Sequence, residues 1–315
     1  MALGNTAFGN DGLIATTLQH YNKKLEDVVF GANPLSYILK KAGIGSQNGR
    51  TIVTPLLYAQ ATASGSYADN DTFVAPVREG ITAAEFPWKA MFASIFFTGI
   101  EMAQNSGPEQ AVSLLKARVT QAEKTIAKKL NAMLFADGTG NGGKDFMGLA
   151  GVIANGNTYG GIDRTDALNA WWDANVRAMG GAFTLAALRT EYNNATEGNE
   201  QPTHIITTQT GFESYEGLLD AGVRYENRDL GDAGFQNLMF KGAPITFDRD
   251  CQAQTIYLLN TEHLKIVSLD GRWFDWSEWL VPVNQDAKYK NVYLNGNLTS
   301  SNSKRLGKIT GATNA

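Results

Sequence analysis

The chain has one cysteine, three histidines and eight prolines in 315 residues. The lone Cys251 excludes an internal disulfide framework and suits a reducing compartment. His20, His204 and His263 share no short-range metal spacing and have no cysteine close in sequence, so no local zinc motif exists. An excess of positive charge is also lacking. The 27 Lys and Arg against 31 Asp and Glu give a formal net charge of -4, which excludes nucleic-acid binding through overall basic charge. The most apolar run, residues 91–100, is too short to span a bilayer. Residues 1–10 lack the basic start and apolar run of a secretory signal, and the expectation is a soluble protein made inside the cell.

What is present supports a packed core. Hydrophobic residues make up 43% and aromatics 10%, enough for one large domain or two small ones, and 33 glycines imply many turns. The strongest periodic signal lies at the middle of the chain. Val112, Leu115, Val119, Ala122, Ile126, Leu130 and Met133 recur at three- and four-residue spacings, which predicts one apolar face of an α-helix over 107–136. Ser106 and Glu109 have capping-box spacing, with Pro108 in the first turn, and Gly138, Gly140, Gly142 and Gly143 mark the stop. A helix from Pro108 to Phe135 would be about 42 Å long at ~1.5 Å per residue, a strut across a domain.

Around that helix the chain changes character several times. Residues 1–48 read as an arm, with an amphipathic helix over 13–29 and a short helix after Asn33-Pro34 carrying Leu35, Ile38 and Leu39. Residues 49–88 read as a long two-stranded excursion. Its strands contain Thr51–Thr54, Leu56–Tyr58 and Ile81–Trp88, and its tip, 61–72, is small and polar. A two-stranded ribbon is marginal alone and needs something to lie against, such as a neighbouring subunit. Strand is expected over 91–105, and helix over 166–179, 184–193 and 210–220. Strand is expected again over 203–208, 240–247, 255–260, 263–268, 273–283 and 288–299. Helices and strands intermingle without regular βαβ alternation, so the fold class is α+β.

Each chemical motif meets a plainer reading. Gly138 to Lys144 has P-loop spacing, but Asp145 stands where magnesium needs a hydroxyl, and the loop follows a helix instead of opening one; it reads as a hinge. Asp137, Thr139 and Asn141 mimic half a calcium loop, yet Gly148 occupies the place of the closing glutamate. Cys251 has no local partner that would make it a nucleophile. Asp270, Asp275 and Glu278 beside Trp273, Trp276 and Trp279 have the composition of a sugar site. They equally suit tryptophans packed on the long helix or at an interface. No catalytic constellation, metal set or cofactor site emerges, and the expectation is a protein that is not an enzyme.

The order of elements resembles the major capsid proteins of tailed bacteriophages along nearly the whole chain. The strings that carry the resemblance are Asn131-Ala-Met-Leu-Phe-Ala-Asp-Gly138, Gly148-Leu-Ala-Gly-Val-Ile153, Tyr159-Gly-Gly-Ile-Asp-Arg164 and Trp171-Trp172. The resemblance implies an N-terminal arm over 1–48, an extended E-loop over 49–88, and a peripheral domain over 89–149 and 263–302 with its spine helix at 107–136. It implies an axial domain over 150–262, with 303–315 as a possible addition. It also implies intersubunit contacts through Tyr67, Asp69, Phe73, Val74, Arg78 and Ile81 of the E-loop. Lys89 and Asn70 have the residue types that some members cross-link, without a matching motif. The 315 residues leave no room before the arm for the fused scaffolding segment of some members, so a separate scaffolding protein is expected. The implied partners are further copies of the chain in hexamers and pentamers, a portal, decoration proteins and non-specifically contacted double-stranded DNA, with no membrane. The implied location is the virion, and the host cytoplasm during assembly. The alternatives are an encapsulin-type nanocompartment shell, or a carbohydrate-binding or carbohydrate-processing protein using 270–279.

The Gly-rich loop generates a first test. Lys144→Ala should leave assembly and nucleotide affinity unchanged, as read by particle yield and by titration with ATP; a drop in an ATP affinity shown by the parent would restore the P-loop.

Overall fold

Residues 33–60, 65–72, 80–105, 114–219 and 237–313 are described by the computed structural model. In chain order the elements are α1 (Pro34–Ala42), β1 (Gly45–Gln47), β2 (Ile52–Leu57), β3 (Ile81–Phe86), β4 (Lys89–Thr98), α2 (Gly99–Gln104) and α3 (Leu114–Phe135). Then come β5 (Thr158–Tyr159), β6 (Ile162–Asp163), β7 (Asn175–Ala182), α4 (Leu185–Asn194), β8 (His204–Thr207), α5 (Gln209–Gly217), β9 (Asn237–Phe240) and β10 (Ala243–Phe247). β11 (Thr255–Leu259), β12 (Leu264–Trp276), β13 (Ala287–Ser300) and β14 (Gly307–Thr313) complete the chain, and the fold is α+β. The helix starts follow local chemistry. Pro34 opens α1 after Asn33. Thr184 and Thr208 cap α4 and α5 through their hydroxyls, each accepting at 3.2 Å from the amide three residues on.

Three sequence expectations are corrected. The apolar stretch 91–105 is strand only to Thr98. There a capping box forms, Glu101 N donating to Thr98 Oγ1 and Thr98 N to the Glu101 carboxylate, and α2 begins. The expected helix over 166–179 is a 3-10 turn, Ala167–Trp172, followed by β7. The spacing of Leu168, Trp172, Val176 and Met179 suits a helix, but pairing with β14 claims the second half. Strand β12 ends at Trp276 and does not reach 283.

The described chain divides into two units, one of Ala90–Leu130 with Gly271–Asn295, the other of Asn33–Lys89, Asn131–Asp270 and Gly296–Thr313. A four-stranded sheet has the order β1-β12-β13-β4. In the first unit, edge strand β4 alternates cleanly. Met91, Ile95 and Phe97 are buried, while Phe92 and Phe96 face out. Ile95 and Phe97 pack with Leu114 and Ala122 of α3, and Val119 and Trp276 close the cluster. Arg118 stacks its guanidinium over Phe97 at 5.4 Å and pairs with Glu101 at 3.0 Å.

Helix α3 does not bury a fixed stripe. Leu114, Ala122, Ile126, Leu130 and Leu134 are buried at multiples of four residues, and Asn131 and Phe135 are buried beside the last two. At ~100° per residue each four-residue step turns about 40°, so the buried face winds round the helix. This corrects the sequence-based face. Ala122, Ile126 and Leu130 belong to it, and Val119 and Met133 are half-buried. Leu115, one heptad before Ala122, is 48% exposed, because the buried side at that turn has already moved round to Leu114. Val112 and the Ser106–Glu109 pair lie outside the described residues.

The second unit is built on a six-stranded mixed sheet, β7-β14-β11-β8-β10-β9, in which β14-β7 and β10-β8 run parallel. Leu188 and Tyr192 of α4 and Phe212 and Tyr215 of α5 pack with Ile205, Ile245, Ile256, Leu258 and Ile309 from the sheet. Two polar joints lie in this unit. The fully buried Asn131, in the last turns of α3, accepts from Ser36 Oγ at 2.8 Å and donates to the carboxylates of Asp248 and Asp250 at 3.1 and 2.8 Å. Asp248 also accepts from the Leu35 amide at the start of α1. Burial holds the Asp248 carboxyl above its usual range. The second joint is Arg164. Its guanidinium donates to the carbonyls of Val152 and Ala154 at 3.0 and 2.9 Å and to Ser303 Oγ at 2.8 Å, and it lies over the Tyr159 ring. Burial lowers its pKa to about 10.

The Asn131 joint yields a measurable consequence. Asn131→Leu matches the shape but strips the donors from two carboxylates and the acceptor from Ser36. A buried group left unsatisfied costs about 1–3 kcal/mol, more when charged. The expected loss of unfolding free energy is about 3 kcal/mol or more in urea melts. A variant as stable as the parent would show that the joint contributes nothing.

Candidate intersubunit surface

Strands β2 and β3 pair antiparallel with Ile52 opposite Phe86, Thr54 opposite Ala84 and Leu56 opposite Thr82. These six residues share one face, and Ile52, Leu56, Ala84 and Phe86 on it are buried. That face lies against its own unit. Phe86 packs on Tyr159 with ring centroids 5.0 Å apart, and Glu85 N donates to Gly160 O at 2.9 Å. Gly160 has φ +63, and an added Cβ would meet Ala84 Cβ at 2.8 Å, so only glycine lets the ribbon seat this closely. At the root, Trp88 Nε1 donates to Gly49 O at 2.9 Å and Asn297 Nδ2 to Pro87 O at 3.0 Å. Further out, Tyr58 stacks on Trp171 at 5.0 Å.

The opposite face is Val53, Pro55 and Leu57 with Glu85, Ala83 and Ile81 across from them. All six are exposed, Leu57 at 79% and Ile81 at 74%. Five of these six residues are apolar, on a face that no described residue covers. Of the contacts expected from the sequence, Ile81 belongs here. Tyr67 and Asp69 are exposed in the described tip, where Asp71 accepts from the Ala68 amide at 2.7 Å. Phe73, Val74 and Arg78 lie outside the described residues. Val53, Pro55, Leu57 and Ala83 were missed. Their signal was present: β2 is apolar at both alternating sets of positions, the pattern of a strand covered on two sides. Asn70 is exposed at the tip, and Lys89 is half-buried with its ammonium on the Gly143 carbonyl.

The remaining chemical candidates resolve into packing. The Gly-rich loop follows α3, and Asn141, Gly142 and Gly143 take left-handed φ in a tight turn. Cys251 is buried and its thiol is pushed up by burial, the wrong direction for a nucleophile. Trp276 packs into the cluster on α3, and Trp279 tilts over Phe97 at 5.9 Å. Lys290 sits over both indoles at 5.6 and 5.8 Å. Asp270 accepts from Ser46 Oγ at 3.2 Å, and Asp275 pairs with Arg272 at 3.5 Å. Among the described residues, no group of three or more His, Cys, Asp or Glu is placed to hold a metal ion, and no helix is long and apolar enough to cross a membrane.

The fold can be compared with those of known proteins. No protein-family model and no curated sequence matches the chain. Solved structures do. The capsid of cyanophage A-1(L) is similar with a TM-score of 0.69 and 19% identity over 93% of this chain and 97% of that one. The capsid of a native GTA particle follows with 0.61 and 11% identity over 93% and 96%. The SrpI encapsulin of Synechococcus elongatus PCC 7942 has 0.60 and 10% identity over 94% of both chains. At these identities the likeness establishes the architecture: an α+β fold shared by tailed-phage capsid and encapsulin subunits.

His204 provides a pH test of this unit. Burial, and secondarily Lys41, lowers its pKa to about 4, so it is neutral in the fold and charges more readily when unfolded. Its contribution to stability is fully present above the ordinary histidine value of about 6.5 and is lost as pH falls towards 4. The parent should lose more thermal stability between pH 7 and 4 than His204→Gln does. Parallel curves would exclude the assignment.

Proposed function

We propose that the chain is the major capsid protein of a tailed phage, a structural subunit and not an enzyme, which assembles through hexamers and pentamers into an icosahedral shell around double-stranded DNA. The observation that carries this reading is the ribbon. Its inner face is satisfied at home and its outer face is apolar and uncovered, within a fold whose solved likenesses are shells. Large uncovered apolar patches on soluble proteins mark interaction sites. In this reading residues 49–88 are the E-loop, 1–48 the arm and 107–136 the spine helix. Residues 89–149 and 263–302 form the peripheral domain, and 150–262 with 303–315 the axial domain. The ribbon's outer face lies on a neighbouring copy, with the exposed Asp69 at its rim. The net charge of -4 suits a wall that does not hold packaged DNA tightly. A separate scaffolding protein, a portal and decoration proteins are the further partners. The chain resides in the virion, and in the host cytoplasm during assembly.

The encapsulin likeness keeps a second reading, a shell around cargo protein. Nucleic acid in purified particles supports the phage reading, and its absence with co-purifying enzyme supports the other. For the ribbon, Leu57→Asp with Ile81→Asp, or residues 60–80 replaced by a short Gly-Ser turn, should leave circular dichroism unchanged and abolish closed shells in micrographs. Normal shells from both would remove the E-loop assignment.

A further inference from the structure

Residues Trp279-Leu280-Val281-Pro282-Val283 are five consecutive apolar residues at the turn between β12 and β13. Val281 is 65% exposed and Val283 86%. A run of exposed apolar residues this long is a liability unless it is used. It is also held in place. Leu280 and Tyr289 exchange two backbone hydrogen bonds of 2.9 and 2.8 Å at its base, Gly99 N donates to Asp286 O at 2.8 Å on its far side, and Pro282 stiffens its centre. Little conformational freedom remains to be lost on docking, which favours association.

Beside this knob, in the same unit, lies an open groove of about 330 Å³. Phe97, Met102, Leu114, Leu115 and Trp279 line it, with Lys288 among its few polar groups. Its volume is roughly ten times the ~30 Å³ share of one water molecule. The exposure of Val281 and Val283 shows that they do not fill the groove of their own subunit. The two features are complementary in chemistry, apolar knob to apolar groove, and in charge, since Glu278 and Asp286 flank the knob and Lys288 the groove.

Resting on the shell reading, we infer that Val281-Pro282-Val283 of one copy docks in the groove of the next copy. The contact is heterologous, so it closes rings where the rotation allows. Trp279 walls the groove and Val283 is four residues further on, at most about 14 Å of extended chain. Knob and groove this close meet on different copies only near a local rotation axis. The contact is therefore a clasp around a local rotation axis, made by residues of the peripheral domain and separate from the ribbon, and it accounts for the exposure of Leu115.

Cross-linking tests this, because the native Cys251 is buried and does not compete. Val283→Cys chains carrying a size tag are co-assembled with untagged Leu115→Cys chains, oxidised mildly and run on a non-reducing gel. The expected product is the tagged–untagged dimer, absent when either variant is oxidised alone. In parallel, Val283→Asp should cut particle yield at least tenfold while leaving the sedimentation of the unassembled subunit unchanged. Particles that give no mixed dimer, a Val283→Cys chain that cross-links to itself equally well, or full particle yield from Val283→Asp would each overturn the clasp while leaving the shell standing. Parent chains that form no particles would overturn the shell reading itself, before any variant is mixed, and the clasp with it.

Discussion

The second unit is organised around one side-chain amide. Asn131 is fully buried, and its oxygen and both its hydrogens are engaged. The partners come from α1 and from the turn after β10, far apart in sequence. Asp248 extends the network, its backbone amide donating to Thr207 O at the end of β8 and its carboxylate accepting from the first turn of α1. One residue therefore ties together the end of the long helix, the start of α1 and the ends of two inner strands of the sheet. Such networks specify a unique arrangement only when every member is satisfied, because low local dielectric makes an orphaned carboxylate expensive.

Satisfaction at home contrasts with what the ribbon leaves open. Its inner face is seated by Phe86 on Tyr159 and by the Gly160 carbonyl, so its direction is fixed by its own subunit. Its outer face is exposed. This division suits assembly. A pre-positioned surface loses little freedom on docking, and contacts that are individually modest sum around a closed shell while each remains reversible during construction.

The short strings through which the sequence resembles capsid proteins turn out to be joints. Asn131 is the amide hub. Gly148 lies where a Cβ would sit 2.3 Å from the Met133 carbonyl, so the chain can fold back beneath the helix end only with glycine there. Tyr159 to Arg164 supplies the ring under Phe86 and the guanidinium that ties residues 152–157 to Ser303. Trp172 stacks on Tyr159 at 5.8 Å and donates to its carbonyl. Their contacts are packing and hydrogen bonding, which a search for catalytic spacing passes over.

What the sequence determined by itself was local and periodic. It defined the long helix, the helix after Pro34, the cap Thr184, and the buried strands around 205 and 257. It also implied a ribbon that needs a partner. These follow from spacing, capping and the cost of unpaired backbone, all of which act within a few residues. Tertiary structure alone decided the rest. Residues 175–182 are strand because β14 pairs with them from more than a hundred positions away. Leu115 is exposed because the buried face of α3 winds by about 40° at every fourth residue, following its neighbours and no fixed stripe. Val53 and Leu57 face outward because Gly160 and Tyr159 claim the other side of β2 and β3. Periodicity says that a face is apolar, but which apolar face is covered depends on contacts between residues that the linear sequence holds far apart.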